Sequence, residues 1–224
     1  MGRSTGPAAL IRAAGPADTE AVVDTLAKAF QDDPVTAWVF PGAQRRRAQL
    51  PGFFGKVVDE ILERGEICLA DTGAGALLFA PPGAAYPAPD RRHDREQQHN
   101  HEQRTPAPTL SREPTDRSTL ISDVLAVHRP HHRAHYYIVF NAVRPDRQGA
   151  GLGSAMVRHI VARADADHVG AYVECSNEGS LRLMLRHGFQ PLPSIPLPDG
   201  PLLHPAWWEP GANDKTGGKV PWTV

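Results

Sequence analysis

Two apolar runs in the second half of the chain are each followed by a segment with helical spacing. Residues 136–143 form the first run, which is rich in aromatic and β-branched residues and therefore typical of a buried strand. Residues 169–175 form a second strand-like run. Between them, Leu152, Met156 and Ile160 recur at four-residue spacing, as on one face of a helix. The pattern predicts a strand, a helix, a second strand and a shorter helix after it.

The first half of the chain predicts strands on either side of a helical region. A first helix is predicted around Val22, Leu26 and Phe30, which share one face. A longer helix follows over residues 50–62, with Pro51 expected to kink it or restart it. Between the two helices, residues 35–40 are expected to form a loop or a short helix. The predicted strands of this half are residues 8–13, 66–70 and 74–80, the last two joined as a hairpin.

A polar segment interrupts the chain after the hairpin. Residues 83–118 contain Pro, Arg, Asp, Glu, Gln and His with hardly an aliphatic residue, so they cannot bury enough apolar surface to offset the entropy cost of ordering. We expect a mobile insertion there rather than a second domain. A short amphipathic helix at 120–127 and a last strand at 202–208 follow it. The predicted divisions are a flexible N-terminus (1–7), the N-terminal part of the domain (8–82), the insertion (83–118), the core part (119–210) and a flexible tail (211–224).

Composition and charge exclude several classes of protein. The chain has 224 residues, of which 41% are hydrophobic, and this suits one globular core. The formal net charge of -1 gives no basic surface for nucleic acid, and no apolar run approaches the length of a membrane span. The N-terminus has no signal-peptide pattern, so we expect a cytoplasmic protein. Cys68 and Cys175 imply no disulfide framework, and the histidines of the insertion lack the ligand framework of a metal site.

The segment between the first apolar run and the next helix is rich in glycine. Gly149, Gly151 and Gly153 alternate where the helix begins, and Pro145 ends the preceding strand. The first N–H groups of a helix have no partner within the helix, and the helix dipole is positive at that end. The turn therefore predicts a binding site for an anion such as a diphosphate. Its spacing matches neither the dinucleotide-binding pattern nor the P-loop pattern.

Two motifs in this order resemble those of the GNAT N-acetyltransferase superfamily. The first is Gln148-x-x-Gly151-x-Gly153, preceded by Val-x-Pro. The second is Ser176-Asn177 after a strand, followed by a short helix and Gly-Phe. The resemblance implies an α/β fold with a single domain, in which helices cover both faces of a mixed, mostly antiparallel sheet of six or seven strands. It also implies acetyl-CoA as the cofactor, held by its pyrophosphate at the glycine turn.

The resemblance further places the cofactor along the backbone of this region. In the family, two neighbouring parallel strands separate, and the edge of the first strand, at Asn141, Ala142 and Val143, contacts the pantetheine arm. The Val143 N–H would contact the acetyl oxygen, and Asn141 is compatible with a bulge in the strand. Asn177 matches a family position that contacts the cofactor, although a role as helix N-cap explains it equally well. The residues expected at the pyrophosphate are Gln148, Gly149, Ala150, Gly151, Leu152, Gly153 and Ser154.

Few side chains are candidates for catalysis. An amine must lose its proton before it attacks a thioester, and Glu174 is the first choice as base, with an outward-facing strand carboxylate as the alternative. Relatives often carry a tyrosine four residues before the glycine of Gly-Phe, where this chain has Met184, which cannot donate a proton. Tyr136, Tyr137 and Tyr172 are possible donors, although strand tyrosines usually belong to the core. Val143 enters the catalytic set through its backbone N–H. A covalent role for Cys175 is disfavoured, because a cysteine within a strand is usually inert.

These motifs predict an N-acetyltransferase that acts by direct attack of an amine on the thioester. The sequence around Thr25–Pro34 and the Pro-Leu-Pro-Asp-Gly-Pro segment are similar to the actinobacterial group that includes puromycin acetyltransferase. This similarity implies a primary amine on a small molecule, an antibiotic or a metabolite, and a place in antibiotic resistance or secondary metabolism. The alternatives are a weak or inactive acyl-CoA-binding sensor or partner-binding module, a protein lysine or N-terminal acetyltransferase, and a nucleotide-binding enzyme. Partners among nucleic acids and membranes are not expected, and either a monomer or a homodimer is compatible with the sequence.

Overall fold

A computed structural model describes residues 10–84, 86 and 116–211. Most of the predicted polar insertion and nearly all of the two predicted flexible ends lie outside the described residues. The domain divisions placed at those segments therefore stay predictions.

One mixed sheet of eight strands runs through the described part of the chain. Its strands are β1 Ile11–Ala13, β2 Glu66–Ala70, β3 Gly75–Ala80, β4 His135–Val143, β5 Gly170–Cys175, β6 Gln190–Pro191, β7 Ile195–Pro196 and β8 Leu202–Trp208. The order across the sheet is β1-β2-β3-β4-β5-β8-β6, with β7 beside β8, and only the β4–β5 pair is parallel. The predicted fold class is confirmed. The strand count exceeds the predicted six or seven because β6 and β7 have two residues each, too few to show an alternating pattern.

Helices cover both faces of this sheet, as predicted. On one face, apolar residues of the first and third helices pack on alternate strand residues such as Leu69 and Leu78. On the other face, two later helices pack on Leu77 and Phe79. The helices of the described residues are α1 Thr19–Ala29, α2 Pro34–Val39, α3 Ala43–Arg64, α4 Arg117–His128, α5 Leu152–Ala166 and α6 Glu178–Leu185.

The prediction that Pro51 restarts the second long helix is wrong, because α3 is one continuous helix across this residue. Proline removes one backbone hydrogen bond and crowds the preceding turn. Leu50 and Phe54, on either side of it, are completely buried against the sheet. Packing of this apolar face stabilises the helix where local propensity disfavours it.

No helix within the described ranges is long and apolar enough to cross a membrane.

Candidate active site

The parallel strands β4 and β5 separate halfway along β4, as the family resemblance implied. They pair from His135 with Gly170 to Ile138 with Val173, and no pairing follows. The last five residues of β4 therefore present an unpaired edge. We call the opening between this edge and the end of β5 the β4–β5 cleft.

A β-bulge marks the point where β4 leaves β5. In the β3–β4 pairing, Leu78 opposes Phe140 and Phe79 opposes Ile138, so Val139 has no partner in β3. An extra residue of this kind bends a strand and increases its twist. The bulge was predicted at Asn141, and the structure corrects its position to Val139, where the separation begins.

The backbone of β4 directs alternate residues into the cleft. The Arg144 N–H donates to the Ala74 carbonyl at 3.0 Å, so this residue bonds toward β3. Successive residues of an antiparallel strand direct their hydrogen-bonding groups to opposite sides. The groups of Asn141 and Val143 therefore point into the cleft, and those of Ala142 point to β3. The predicted cofactor contact from the Ala142 backbone needs correction for this reason, although Ala142 still lines the adjacent cavity.

The glycine turn joins β4 to α5 in a conformation that requires two of its glycines. Gly149 and Gly151 have φ angles of 80° and 82°, in the left-handed region that side chains with a Cβ avoid. A Cβ added at either position would meet no atom within 4 Å, so the backbone of the turn is uncovered. Gly151 is the N-cap of α5 and has no side chain to cap the helix. The free N–H groups at this helix start are therefore available to an anion.

The other residues predicted at the turn differ in what they offer. Gly153 is small because a Cβ there would lie 3.2 Å from Leu183 of α6, so it serves close helix packing. The Leu152 side chain is buried in the core, which leaves only its N–H for a ligand. Gln148 donates to the Val143 carbonyl at 3.4 Å, and both Gln148 and Ala150 are exposed.

Ser154 lies in the first turn of α5 and contacts the end of the following motif. Its hydroxyl is 3.0 Å from Nε2 of His187. Burial lowers the pKa of His187, followed in effect by the nearby charges of Arg158 and Arg186. A neutral imidazole thus faces the Ser154 hydroxyl near neutral pH, which leaves that hydroxyl free to act as a donor or an acceptor.

Asn177 caps α6, which confirms one of the two roles considered for it. Its Oδ1 accepts from the Ser180 N–H at 2.9 Å. Its Nδ2 lies 3.4 Å from Oδ2 of Asp33, in the loop before α2. The cap therefore uses one end of the amide, and the other end joins α6 to the loop before α2.

Asp33 is a site residue that the sequence analysis missed. It is 8% exposed, and its Oδ1 caps α2 by accepting from the N–H groups of Val35 at 2.9 Å and Thr36 at 3.2 Å. Its Oδ2 accepts from the Ser176 hydroxyl. The Asp-Pro pair at a helix start was a capping signal. The link to Ser176, far along the chain, had no signal in the sequence.

Arg46 holds the segment from the loop before α2 to the end of α2 in place through hydrogen bonds to its backbone. Residues 45–47 are three consecutive arginines, and Arg46 among them is buried, with 7% of its surface exposed. Its guanidinium donates to the carbonyls of Gln31 and Phe40, the latter at 3.1 Å. These bonds fix both ends of the segment that carries Asp33 and α2.

Glu174, the predicted base, lies where β5 separates from β4. Its Oε1 is buried and has no hydrogen-bond partner. Burial raises the pKa of Glu174, while the charge of Arg129 and the hydroxyls of Tyr137 and Tyr172 oppose this rise. A carboxylate with a raised pKa and a free oxygen in a cavity has the properties of a general base.

Tyr172, the predicted proton donor, belongs to the core. It is 1% exposed and packs against the rings of Tyr137 and Trp207. Burial is the main reason that the pKa of Tyr172 is raised. These contacts support the alternative role of Tyr172, that of a core residue beside Glu174.

Met184 is buried on α6, where relatives often have a tyrosine. One helical turn earlier, Ser180 lies on the same face, and both residues line the same cavity. Cys175 is close by, but burial raises the pKa of its thiol to about 12, so it stays protonated. Ser180 therefore has a hydroxyl within a turn of the expected position, where it donates to the Asn177 carbonyl at 2.9 Å.

Two cavities with a shared wall lie beside the β4–β5 cleft. The cofactor-side cavity has a volume of about 1310 Å³ and includes the glycine turn, the end of β5 and Asn177. The acceptor-side cavity, of about 1240 Å³, lies between α3, α4 and the start of β4. Their shared wall consists of Phe53, Val57, Glu60, Tyr86, Ser118, Ser122, Arg129 and Tyr137. Glu174 lines the cofactor-side cavity, and the shared wall connects this cavity with the acceptor-side cavity.

Comparison with protein families adds to this geometry. The model of the Acetyltransferase (GNAT) family matches residues 78–189, half of the chain, including both strands of the cleft and the glycine turn. The chain belongs to the GNAT family. Its members are acyltransferases that use acetyl-CoA as acetyl donor, so the family inferred from the motifs is confirmed. The open glycines and free N–H groups of the turn fit the diphosphate of that donor.

Solved structures of other GNAT acetyltransferases share the fold over nearly the whole chain. One from Corynebacterium glutamicum, described as histone acetyltransferase HPA2 and related acetyltransferase, is 24% identical, with a TM-score of 0.63 and coverage of 91% of this chain and 97% of that one. Arylalkylamine N-acetyltransferase 2 from Aedes aegypti is 14% identical, with a TM-score of 0.64 and coverage of 90% and 98%. The polyamine N-acetyltransferase of Drosophila melanogaster, which forms N-acetylagmatine, is 18% identical, with a TM-score of 0.53 and coverage of 90% and 99%. At these identities the likeness establishes the fold alone.

Within the described residues, no group of three or more His, Cys, Asp or Glu side chains could hold a metal ion.

Proposed function

We propose that this GNAT enzyme transfers the acetyl group of acetyl-CoA to a primary amine of a small molecule. The observation that carries the proposal is Oε1 of Glu174, which is buried without a hydrogen-bond partner in a residue that lines the cofactor-side cavity beside the cleft. Acetyl-CoA supplies the activated thioester. The protein supplies a base, backbone donors and a proton for the leaving sulfur.

The residues around the cleft have distinct parts in this transfer. Glu174 takes a proton from the acceptor ammonium, which leaves a neutral nitrogen that can attack. The Val143 N–H, directed into the cleft, stabilises the negative charge that develops on the carbonyl oxygen. The nitrogen–carbon bond forms as the carbon–sulfur bond breaks. The nitrogen releases its second proton to solvent, and the Ser180 hydroxyl provides the proton that the sulfur takes up. The hydroxyl recovers a proton from solvent.

A small acceptor is supported by the shape of the site. The acceptor-side cavity lies between α3, α4 and β4, and its walls include the rings of Phe53 and Tyr137. The arylalkylamine and polyamine acetyltransferases of similar fold act on small amines. Similarity to the puromycin acetyltransferase group, a role in antibiotic resistance or secondary metabolism, a cytoplasmic location and the oligomeric state all stay predictions.

A second candidate is an acyl-CoA-binding sensor with little turnover. Met184 favours it, because the buried thioether cannot protonate a leaving thiolate. Both candidate functions require the cofactor to bind at the glycine turn. Only the transferase also requires an acceptor amine.

The test combines thiol release with cofactor binding. Free thiol is measured with acetyl-CoA and a panel of primary amines that includes puromycin, and acetyl-CoA binding is measured by calorimetry. Gly151→Glu places a carboxylate in the anion site and should abolish binding. Gly42→Glu is the matched control, since Gly42 has a φ of 86° but lies at the start of α3.

Each outcome separates the candidates. Amine-dependent thiol release together with loss of binding in Gly151→Glu alone would support the proposed transferase. Binding without release on the whole panel would favour the sensor. A wild-type chain that does not bind acetyl-CoA would contradict both.

A further inference from the structure

Arg129 lies at the junction of the two cavities. It directly follows α4 and forms part of the wall that the cavities share. Its guanidinium carbon is 3.8 Å from the centroid of the Tyr137 ring, and its Nη1 donates to the Tyr86 carbonyl. The guanidinium is thus held at a fixed place in the wall.

The hydrogen-bonding capacity of Arg129 is only partly used. Its Nε is buried and has no partner. None of the ion pairs between described residues includes Arg129, so no carboxylate of the described part of the chain forms an ion pair with it. A buried N–H group without an acceptor is unfavourable unless a ligand provides one.

Glu174 has the opposite deficiency in the same cavity. Its Oε1 is also buried without a partner, and it forms no ion pair with Arg129. A positive and a negative side chain thus face one cavity, and neither satisfies the other. The pair is complementary to a ligand that carries both charges at once.

We infer that the acceptor is a zwitterion, a small molecule with a primary amine and a carboxylate, as in an amino acid. The amine is placed at Glu174, and the carboxylate binds the guanidinium of Arg129, whose planar fork suits a carboxylate. Phe53, Val57 and Tyr86 on the shared wall give the remainder of the molecule an apolar surface. The inference rests on the proposed function and narrows its class of acceptor.

The test compares acceptors that differ only in the carboxylate. Suitable pairs are tyramine and tyrosine, tryptamine and tryptophan, and agmatine and arginine. The value of kcat/KM is measured for each by thiol release, and binding of each is measured by calorimetry with CoA present, so that recognition is seen without turnover. The variants of the full chain are Arg129→Gln, which removes the charge, and Arg129→Lys, which keeps the charge without the fork. Arg45→Gln, at an exposed position on α3, is the charge-matched control.

The wild-type protein is expected to favour the carboxylated member of at least one pair. Arg129→Gln should lower kcat/KM for that member by about 10- to 100-fold, because a charged hydrogen bond is lost. It should change kcat/KM for the decarboxylated partner by no more than about threefold. For the carboxylated member, Arg129→Lys should give a kcat/KM between those of wild type and Arg129→Gln. Arg45→Gln should have the wild-type kcat/KM. Thermal unfolding of each variant checks that the fold is retained.

Three results would overturn the inference: preference for the decarboxylated members, equal loss for both members in Arg129→Gln, or no binding of either member of any pair. Preferential binding of a carboxylated ligand without thiol release would support the zwitterion site while contradicting the proposed function. Thiol release with decarboxylated amines alone would support the proposed function and contradict the zwitterion site.

Discussion

At the scale of single residues, unsatisfied polar atoms mark the site better than residue type does. The described residues have five buried side-chain nitrogen or oxygen atoms without a partner. Three of them, on Asn141, Glu174 and Arg129, line the cofactor-side cavity. The other two are the indole nitrogens of Trp38 and Trp208. Buried polar groups are normally paired, so their concentration at one cavity indicates a place where ligands complete the hydrogen bonding.

Glu174→Gln tests the base. We expect kcat/KM to fall by about 100- to 1000-fold, because the amide cannot accept the amine proton. In wild type, kcat/KM should rise with pH through the raised pKa of Glu174, since the carboxylate form is the active one. The variant should lack this rise. The measurement is a pH–rate profile with acetyl-CoA saturating, and an unchanged profile in the variant would assign the base elsewhere.

The same variant makes a prediction on stability. Because burial raises the pKa of Glu174, the folded state holds the proton more tightly than the unfolded state does. Its contribution to stability is fully present below the unfolded pKa and is lost as pH rises through the folded pKa. Glu174→Gln should therefore raise the melting temperature near pH 8 by a few degrees and change it little near pH 4. A lower melting temperature near pH 8 would indicate that the carboxylate forms a stabilising pair.

Ser180→Ala tests the proton donor. We expect kcat to fall by about 10- to 100-fold with the KM for acetyl-CoA unchanged, since the hydroxyl acts on the leaving sulfur and water replaces it only partly. Adding Met184→Tyr should restore part of the rate, because Met184 lines the same cavity one turn further along α6. Ser194→Ala, at an exposed hydroxyl, is the control. Wild-type kcat in Ser180→Ala would remove Ser180 from the mechanism.

At the scale of elements, the site depends on how loops connect helices to the sheet. Asp33 joins the start of α2 to the end of β5 through four hydrogen bonds, two to backbone N–H groups and two to Ser176 and Asn177. One carboxylate thus fixes the loop before α2 and the cap of α6. Both elements border the cofactor-side cavity.

Asp33→Ala should destabilise the protein by about 2 to 4 kcal/mol, because it removes a helix cap and leaves buried donors unpaired. Ser176→Ala should lower the free energy of unfolding by less, about 1 kcal/mol. The double variant should lower it by less than the sum of the two single variants, since Asp33 and Ser176 share a hydrogen bond. The measurement is urea unfolding. Asp32→Ala is the matched control, because the Asp32 side chain is 91% exposed. Equal effects of Asp32→Ala and Asp33→Ala would contradict the bridging role.

The sequence predicted those elements whose signals are local. The strands at β4 and β5, the glycine turn and the cap at Asn177 follow from apolar runs, alternating glycines and a capping residue, and all are present. The bulge at Val139, the bond from Ser176 to Asp33 and the burial of Arg46 depend on contacts between distant segments. The residue pattern of a single segment does not predict such contacts. The continuous helix across Pro51 shows the same limit, because packing of Leu50 and Phe54 outweighs local propensity.

At the scale of the whole molecule, the sheet separates the routes of the two substrates. The glycine turn and the β4–β5 cleft border the cofactor-side cavity, the acceptor-side cavity lies beside the start of β4, and the two cavities meet at a wall that includes Arg129. Such an arrangement allows both substrates to be bound together. It also leaves no need for the protein to store the acetyl group between two binding events.

The kinetic consequence is a sequential mechanism through a ternary complex. Initial rates at varied acetyl-CoA and amine should give intersecting double-reciprocal lines, and CoA should compete with acetyl-CoA. Cys175 is the residue near the cleft that could accept an acetyl group, but burial raises the pKa of its thiol to about 12, so almost no thiolate is present near neutral pH. Cys175→Ala should therefore retain kcat within about twofold, and mass spectrometry after incubation with acetyl-CoA alone should find no acetylated protein. Parallel lines together with a stable acetyl adduct at Cys175 would instead establish a covalent intermediate, and the separate routes to the cleft would then be used in turn.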